Sequence, residues 1–254
     1  MYIACQDIVK GEEALKEIKK KTGKDDVHLL ELNLASLDSI REFSKKFHEL
    51  ENKLDILISN HEVTFCGKSK TVEGFERHLG ENLLGPFLLI NLLLDLLKKS
   101  PSRIILESSI AYRFGSINKE DIMWENSYSR FKAYCRSKLA THLYAQELSK
   151  RLIGTEVTVN VSFPGFVISD IISRITGVGK IQQVLEWIGT QFINTPKEGS
   201  QTTIYAAVDT ELQNVTGKFF GNCKQIEISG DSVNTELSCW LWKKSEEMLG
   251  LNYI

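Results

Sequence analysis

Leu54-Asp55-Ile56-Leu57-Ile58-Ser59-Asn60 is the stretch whose reading decides the fold. Its apolar residues run almost without a break. A strand with one wet face would alternate with polar residues; a near-continuous run suits a parallel strand covered on both sides. Outward from it, short strands and longer helices alternate. Upstream, Tyr2-Ile3-Ala4-Cys5 reads as a buried strand and residues 12–21 as a charged helix with Ala14, Leu15 and Ile18 inward. Residues 27–32 form a second strand ending at Asn33. Residues 37–50 are amphipathic, with Ile40, Phe43, Phe47 and Leu50 at helical spacing. Downstream come a long helix over 83–97, a strand over 103–107, a helix carrying Tyr134, and a strand over 157–162 stopped by Pro164-Gly165. This alternation predicts an α/β protein with a doubly wound parallel sheet in one domain spanning residues 1–254.

Composition narrows the function classes. The chain has 254 residues, 42% hydrophobic and 25% charged, enough for one large core. Its net charge of -2 gives no electrostatic footprint for nucleic acid. The five cysteines are scattered, odd in number and without a Cys-x-x-Cys pair, which fits a reduced cytoplasmic setting. The histidines show no metal-ligand spacing, and no Gly-x-Ser-x-Gly supports hydrolase chemistry. The apolar run over 83–97 is interrupted by Pro86, Asn91 and Asp95 and is too short to span a bilayer.

Chemistry concentrates at Tyr134-Cys135-Arg136-Ser137-Lys138. A tyrosine and a lysine four residues apart share a helix face. An ammonium near a phenol favours the phenolate, so the pair predicts a Tyr134 pKa below the usual value of about 10. Such a phenol exchanges protons with an alcohol or ketone near neutral pH. Tyr128 and Lys132 repeat the spacing just upstream, and for either pair a plain helix-surface Tyr and Lys is the alternative. The apolar positions Leu139, Leu143, Leu148 and Leu152 favour Tyr134 as the residue set in a helix.

Further motifs fall in order around it. Asn82 lies in the long helix, Ile104-Ile105-Leu106-Glu107-Ser108-Ser109 is a strand ending in a serine pair, and Pro164-Gly165 follows the next strand. With Tyr134 and Lys138, this resembles the short-chain dehydrogenase/reductase family, and its retinol dehydrogenase branch more closely. Ala133-Tyr134-Cys135-Arg136-Ser137-Lys138-Leu139-Ala140 and Met248-Leu249-Gly250-Leu251 are among the matching stretches. The resemblance implies a Rossmann-like fold and assigns roles. Tyr134 is the general acid/base. Lys138 tunes it and holds a nicotinamide ribose. Ser109 hydrogen-bonds the reacting oxygen, and Asn82 supports a proton-relay water. Asn33, Asn60, Tyr134, Lys138, Pro164 and Gly165 line the cofactor, and no metal is implied. The implied activity is NADP(H)-linked interconversion of a lipophilic, retinol-like alcohol and its aldehyde or ketone. The implied partners are that substrate, a membrane surface such as the endoplasmic reticulum touched peripherally, and a second copy meeting through the 83–97 and Tyr134 helices, with Leu88, Leu89, Leu92 and Leu93 supplying apolar surface.

The cofactor half departs from the family pattern. The family begins with a strand, a Thr-Gly-x-x-x-Gly-x-Gly turn and a helix, where backbone N–H groups cradle a pyrophosphate. Met1 falls where the second strand begins, so the first strand and first helix are expected to be missing. Thr176-Gly177-Val178-Gly179-Lys180 is read as a loop. The family's Asn-Asn-Ala-Gly is here Ser59-Asn60-His61-Glu62, which adds bulk and negative charge beside the cofactor. Gln6 stands where the branch has an Arg for the 2′-phosphate, Asn33 replaces an Asp, and Pro86 replaces a common His. Weak or absent NADP binding is therefore expected, with a catalytically silent binding or dimerisation partner as the alternative function. Residues 166–196, rich in apolar side chains, correspond to the family's substrate lid.

Overall fold

A computed structural model describes residues 1–167 and 193–251 of the chain. The parallel α/β architecture is present, and its strands lie in two main pieces. In the first, β1 (Tyr2–Cys5) pairs in parallel with β2 (His28–Glu31). In the second, β3 (Ile56–Ser59), β4 (Ser102–Glu107), β5 (Val157–Phe163) and β8 (Phe219–Gly221) are parallel neighbours, and β9 (Lys224–Gln225) closes the edge antiparallel. A two-residue pair, β6 (Phe166–Val167) with β7 (Ile193–Asn194), stands apart. Among the described residues no strand lies between β1 and β3.

That gap changes the environment of the deciding stretch. Leu57 is buried, but Ile56 is 39% and Ile58 45% exposed. The expectation of a strand covered on both sides therefore fails at β3, because one face lacks a packing layer among the described residues. It holds at β4, where Ile104, Ile105 and Leu106 are all buried.

The helices start where side chains cap them. α1 (Ile8–Thr22) begins four residues earlier than the periodicity suggests, because the Asp7 carboxylate accepts from Lys10 N. Gly11 allows α1 to lie close on β1 and β2: a Cβ there would meet Leu29 Cδ1 at 2.7 Å and Cys5 Sγ at 2.8 Å. α2 (Leu37–Leu50), capped by Ser36, buries Ile40, Phe43 and Phe47, while Leu50 turns out to be exposed, being at the frayed end of the apolar face.

The long helix expected over 83–97 is broken into pieces. It runs as α3 (Arg77–Leu79), a π-helical turn (Gly80–Leu84), α4 (Gly85–Leu92) and α5 (Leu94–Leu97). Leu88, Leu89 and Leu93 are buried inside the chain. They are core residues, and of the four leucines expected to supply apolar surface to a second copy only Leu92 is partly exposed. α6 (Arg130–Arg151) is capped by Ser129 and buried without a break from Ala133 to Ala145, between β4 and β5 on one side and α8 (Thr235–Leu249) on the other. Trp242 of α8 stacks with Tyr144 at 5.7 Å and meets Phe87 at 4.7 Å. α7 (Pro196–Val208) covers the opposite face of β4 and β5, its start fixed by a reciprocal Thr195–Glu198 capping box. The candidate lid and the 176–180 glycine loop lie mainly outside the described residues.

Candidate active site

The carboxyl ends of β3, β4 and β5 face one region, the usual place for a ligand in an open parallel sheet. Asn60 follows β3, Ser108 and Ser109 follow β4, and Pro164-Gly165 follows β5, where Gly165 takes φ 80° and redirects the chain into β6. α6 brings Tyr134 and Lys138 to the same region, with the Lys138 ammonium 5.7 Å from the centre of the Tyr134 ring. Both side chains are almost wholly buried.

Tyr128 is excluded from this arrangement by geometry. It precedes the Ser129 cap, so it shares no helix face with Lys132. Its hydroxyl donates to Cys66 O at 3.1 Å and lies 3.2 Å from His78 Nδ1. His78 is itself 2.9 Å from Glu76 Oε1. Burial works against charge on His78, but the Cys66 sulfur and the Glu76 carboxylate outweigh it and push its pKa up to about 9. Tyr128 thus belongs to a buried polar cluster beneath α3 and the start of α6.

The tuning of Tyr134 runs opposite to the sequence expectation. Glu62 Oε2 lies 2.5 Å from Lys138 Nζ and accepts from the Tyr134 hydroxyl at 3.3 Å. The ammonium that should favour a phenolate is neutralised by this carboxylate. Burial and the charge of Glu62 hold the Tyr134 pKa well above the usual phenol value, against the pull of the Ser109 hydroxyl. Lys138 makes a second, longer contact to Glu107 O at 3.4 Å.

Ser109 caps the short turn that follows β4, accepting from Ala111 N at 3.3 Å, and sits beside Tyr134. Ser108 points elsewhere: its hydroxyl is 2.9 Å from Nε2 of the buried His142. Burial and the nearby Lys138 charge push the His142 pKa down to about 3. Asn82 lies in the π-helical turn. Its amide donates to Val63 O at 3.0 Å and to Ser137 Oγ at 2.9 Å, and its carbonyl accepts from Val63 N at 2.8 Å. The side chain therefore ties the loop after β3 to α6. π-turns free backbone carbonyls and occur at functional sites.

The expected cofactor residues are brought together only in part. Asn60 is exposed at the end of β3. The Asn33 side-chain oxygen accepts from Ala35 N at 2.9 Å in the turn leading to α2 and keeps a second lone pair. Gln6 is exposed and uncharged just after β1. Two acidic groups complete the picture. Glu107 is buried, accepts from Thr203 Oγ1, and is held protonated-prone by burial, which raises its pKa. His61 binds Glu81 at 2.9 Å, a carboxylate also held by Arg77 at 2.6 Å. Glu107 and His142 escape sequence reasoning. Only the glutamate leaves a trace, as an acid closing the apolar strand Ile104-Ile105-Leu106. Among the described residues no group of His, Cys, Asp and Glu could hold a metal, and no helix is long and apolar enough to cross a membrane.

Comparison with known proteins gives the family. Residues 2–177 match the family model for short chain dehydrogenase. The chain belongs to that family, in its retinol dehydrogenase-like branch. It is 41% identical to human Retinol dehydrogenase 12 over its whole length, covering 79% of that protein. It is 39% identical to human Retinol dehydrogenase 14, covering 99% of this chain and 79% of that one. Among solved structures, an uncharacterized protein from Mycobacterium Paratuberculosis superposes with a TM-score of 0.76 at 28% identity, over 98% of this chain and 83% of that one. The Pseudomonas aeruginosa RhlG/NADP active-site complex superposes at 0.64 with 25% identity, over 86% and 83%.

The family implies a nicotinamide dinucleotide. The residues of this chain could hold it only weakly as they stand: Lys138 is paired with Glu62 and Gln6 brings no cation.

Proposed function

We propose that this chain is an NADP(H)-linked oxidoreductase of the retinol dehydrogenase type, impaired by its own Glu62. It interconverts a lipophilic alcohol and its aldehyde or ketone within a single domain, residues 1–254. Tyr134 exchanges the proton with the reacting oxygen, Ser109 donates a hydrogen bond to that oxygen, Lys138 sets the charge on Tyr134, and Asn82 positions the helix that carries both. The observation that carries this reading is the convergence of Ser109, Tyr134 and Lys138 at the carboxyl ends of β4 and β5. The dehydrogenase relatives supply the substrate class. In this reading the protein works in the cytoplasm, in peripheral contact with the membranes that hold its substrate, such as the endoplasmic reticulum.

The Glu62 contact favours a second reading, a silent relative that serves as a binding or dimerisation partner. Titration of the folded chain with NADPH by calorimetry separates the two. Binding weaker than micromolar that tightens in Glu62→Gly, with turnover of a long-chain alcohol, supports the impaired enzyme. Binding too weak to measure, unchanged by Glu62→Gly, supports the silent partner.

A further inference from the structure

One helical turn holds the chain on both sides of Glu62. Glu81 and Asn82, consecutive in the π-helical turn, bind the two neighbours of Glu62 in the loop after β3. His61 Nε2 lies 2.9 Å from Glu81 Oε2. The Asn82 side chain accepts from Val63 N at 2.8 Å and donates to Val63 O at 3.0 Å. Between these ties the Glu62 carboxylate reaches Lys138 Nζ at 2.5 Å and the Tyr134 hydroxyl at 3.3 Å.

Both anchors are firm. Glu81 is buried, and Arg77 Nε donates to its other oxygen at 2.6 Å. Burial works against charge on Glu81, but His61 and Arg77 outweigh it and hold its pKa below the ordinary carboxylate value. Asn82 is also buried, and its amide donates to Ser137 Oγ at 2.9 Å, one residue before Lys138 in α6. The turn therefore grips both the loop and the helix that Glu62 bridges. With residues 61 and 63 fixed, Glu62 leaves the ammonium only by rotating its side chain. Any opening that moves the backbone must break a tie, and the Val63–Asn82 pair is buried. His61 is the weak point: its side chain is 45% exposed, against 2% for Glu81.

We propose that the loop after β3 is a self-inhibitory latch, in which the His61–Glu81 pair is the clasp that keeps Glu62 seated on Lys138. His61 and Glu81 are then positioning residues that act through Glu62. The inference rests on a nicotinamide nucleotide needing Lys138, as in the proposed function. Such a ligand binds only molecules with the latch open, so its apparent affinity falls with the open fraction.

The test has two readouts. Reductive methylation of the purified folded chain, quantified at Lys138 by peptide mass spectrometry, reports whether the amine is covered. Calorimetric titration with NADPH reports affinity. The wild-type chain is expected to leave Lys138 largely unmethylated, and Glu62→Gly and His61→Ala are both expected to raise its methylation. His61→Gln, whose amide still donates to Glu81, is expected to behave as wild type. Glu81 keeps Arg77 in both His61 variants, so the fold is retained, which thermal melting checks. His61→Ala is expected to tighten NADPH binding by about two- to fivefold, the range of a partly exposed ion pair. In a Glu62→Gly background it is expected to add nothing, because the two changes act on one contact. Methylation at Lys138 that rises in Glu62→Gly but not in His61→Ala overturns the proposal. So does a tightening by His61→Ala that persists without Glu62. Methylation that follows the expected pattern while no variant binds NADPH upholds the latch and tells against the proposed enzyme instead.

Discussion

α1 and α6 are both long helices lying against parallel strands, yet α1 buries only Gly11, whereas α6 is buried continuously from Ala133 to Ala145. The difference extends to their sheets. β4 and β5 are buried along nearly their whole length, while β1 keeps one residue exposed and the others only partly covered, and β3 exposes Ile56 and Ile58 at the gap. The half of the molecule that holds Tyr134 and Lys138, the proposed acid/base pair, is a finished core. The half that would hold a dinucleotide has two strand edges and no strand joining them among the described residues. The two regions are thus unequally packed among the described residues.

The largest effect should come from the finished half. In a chain carrying Glu62→Gly and extended ahead of residue 1 by a family-type strand, glycine turn and helix, Tyr134→Phe should lower kcat by about 10²–10⁴-fold. Tyr128→Phe should leave kcat within a few-fold and instead cost about 1 kcal/mol of stability, since it removes a hydroxyl buried against His78 and Cys66. Steady-state kinetics and urea unfolding of the pair decide this, and the opposite pattern would place the chemistry in the wrong cluster.

Next in size is nucleotide affinity. The unmodified chain should bind NADPH more weakly than micromolar. Losing about 4 kcal/mol of contacts would already weaken binding roughly a thousandfold. Glu62→Gly should tighten it by about tenfold or more, because Lys138 loses the carboxylate 2.5 Å away. The same change should lower the unfolding midpoint, since Lys138 is left buried without its partner. Calorimetry showing tight binding in the unmodified chain would remove the contrast between the two halves.

Local stability offers a smaller and more direct reading. Amides of α1, β1 and β2 should exchange with solvent through local opening, while those of β4, β5 and the middle of α6 should exchange only on global unfolding. Hydrogen exchange followed by mass spectrometry measures the gap. Equal protection in α1 and α6 would show that the sparse burial of α1 does not govern its stability.

The smallest effect is a pH dependence from the buried cluster under α3. His78 has a folded pKa raised to about 9 from an ordinary 6.5. Its contribution to stability is therefore complete below pH 6.5 and is lost as pH rises through 9. Urea midpoints should fall over that window, and His78→Gln should flatten the slope. A midpoint rising with pH across the window would reverse the sign of the assigned charge.

Several features of fold and site are legible in the residues alone. The 37–50 helix is marked by Ile40, Phe43 and Phe47 together with the Ser36 cap, all local signals. The strand over Ile104 to Leu106 and the helix of Tyr134 follow from periodicity in the same way. Tyr128 can be set aside from sequence because the helical pattern begins after it. The breaks in the 83–97 helix are less legible: Gly80, Gly85 and Pro86 mark weak points, but the π-turn is stabilised by Asn82 reaching Val63 and Ser137, contacts between distant segments.

The sequence by itself determined the order of strands and helices, the family, and which tyrosine and lysine share a helix face, because hydrophobic period and capping act over a few residues. Only the tertiary structure decided the electrostatics of the site. Glu62 is distant from Lys138 in the chain, Glu107 and His142 come from different elements again, and their separations are set by how the loop after β3, strand β4 and α6 pack. A charge interaction depends on that separation and on burial. A Tyr-x-x-x-Lys motif therefore predicts a lowered phenol pKa, while the folded chain, with Tyr134 buried and Glu62 seated on the ammonium, raises it.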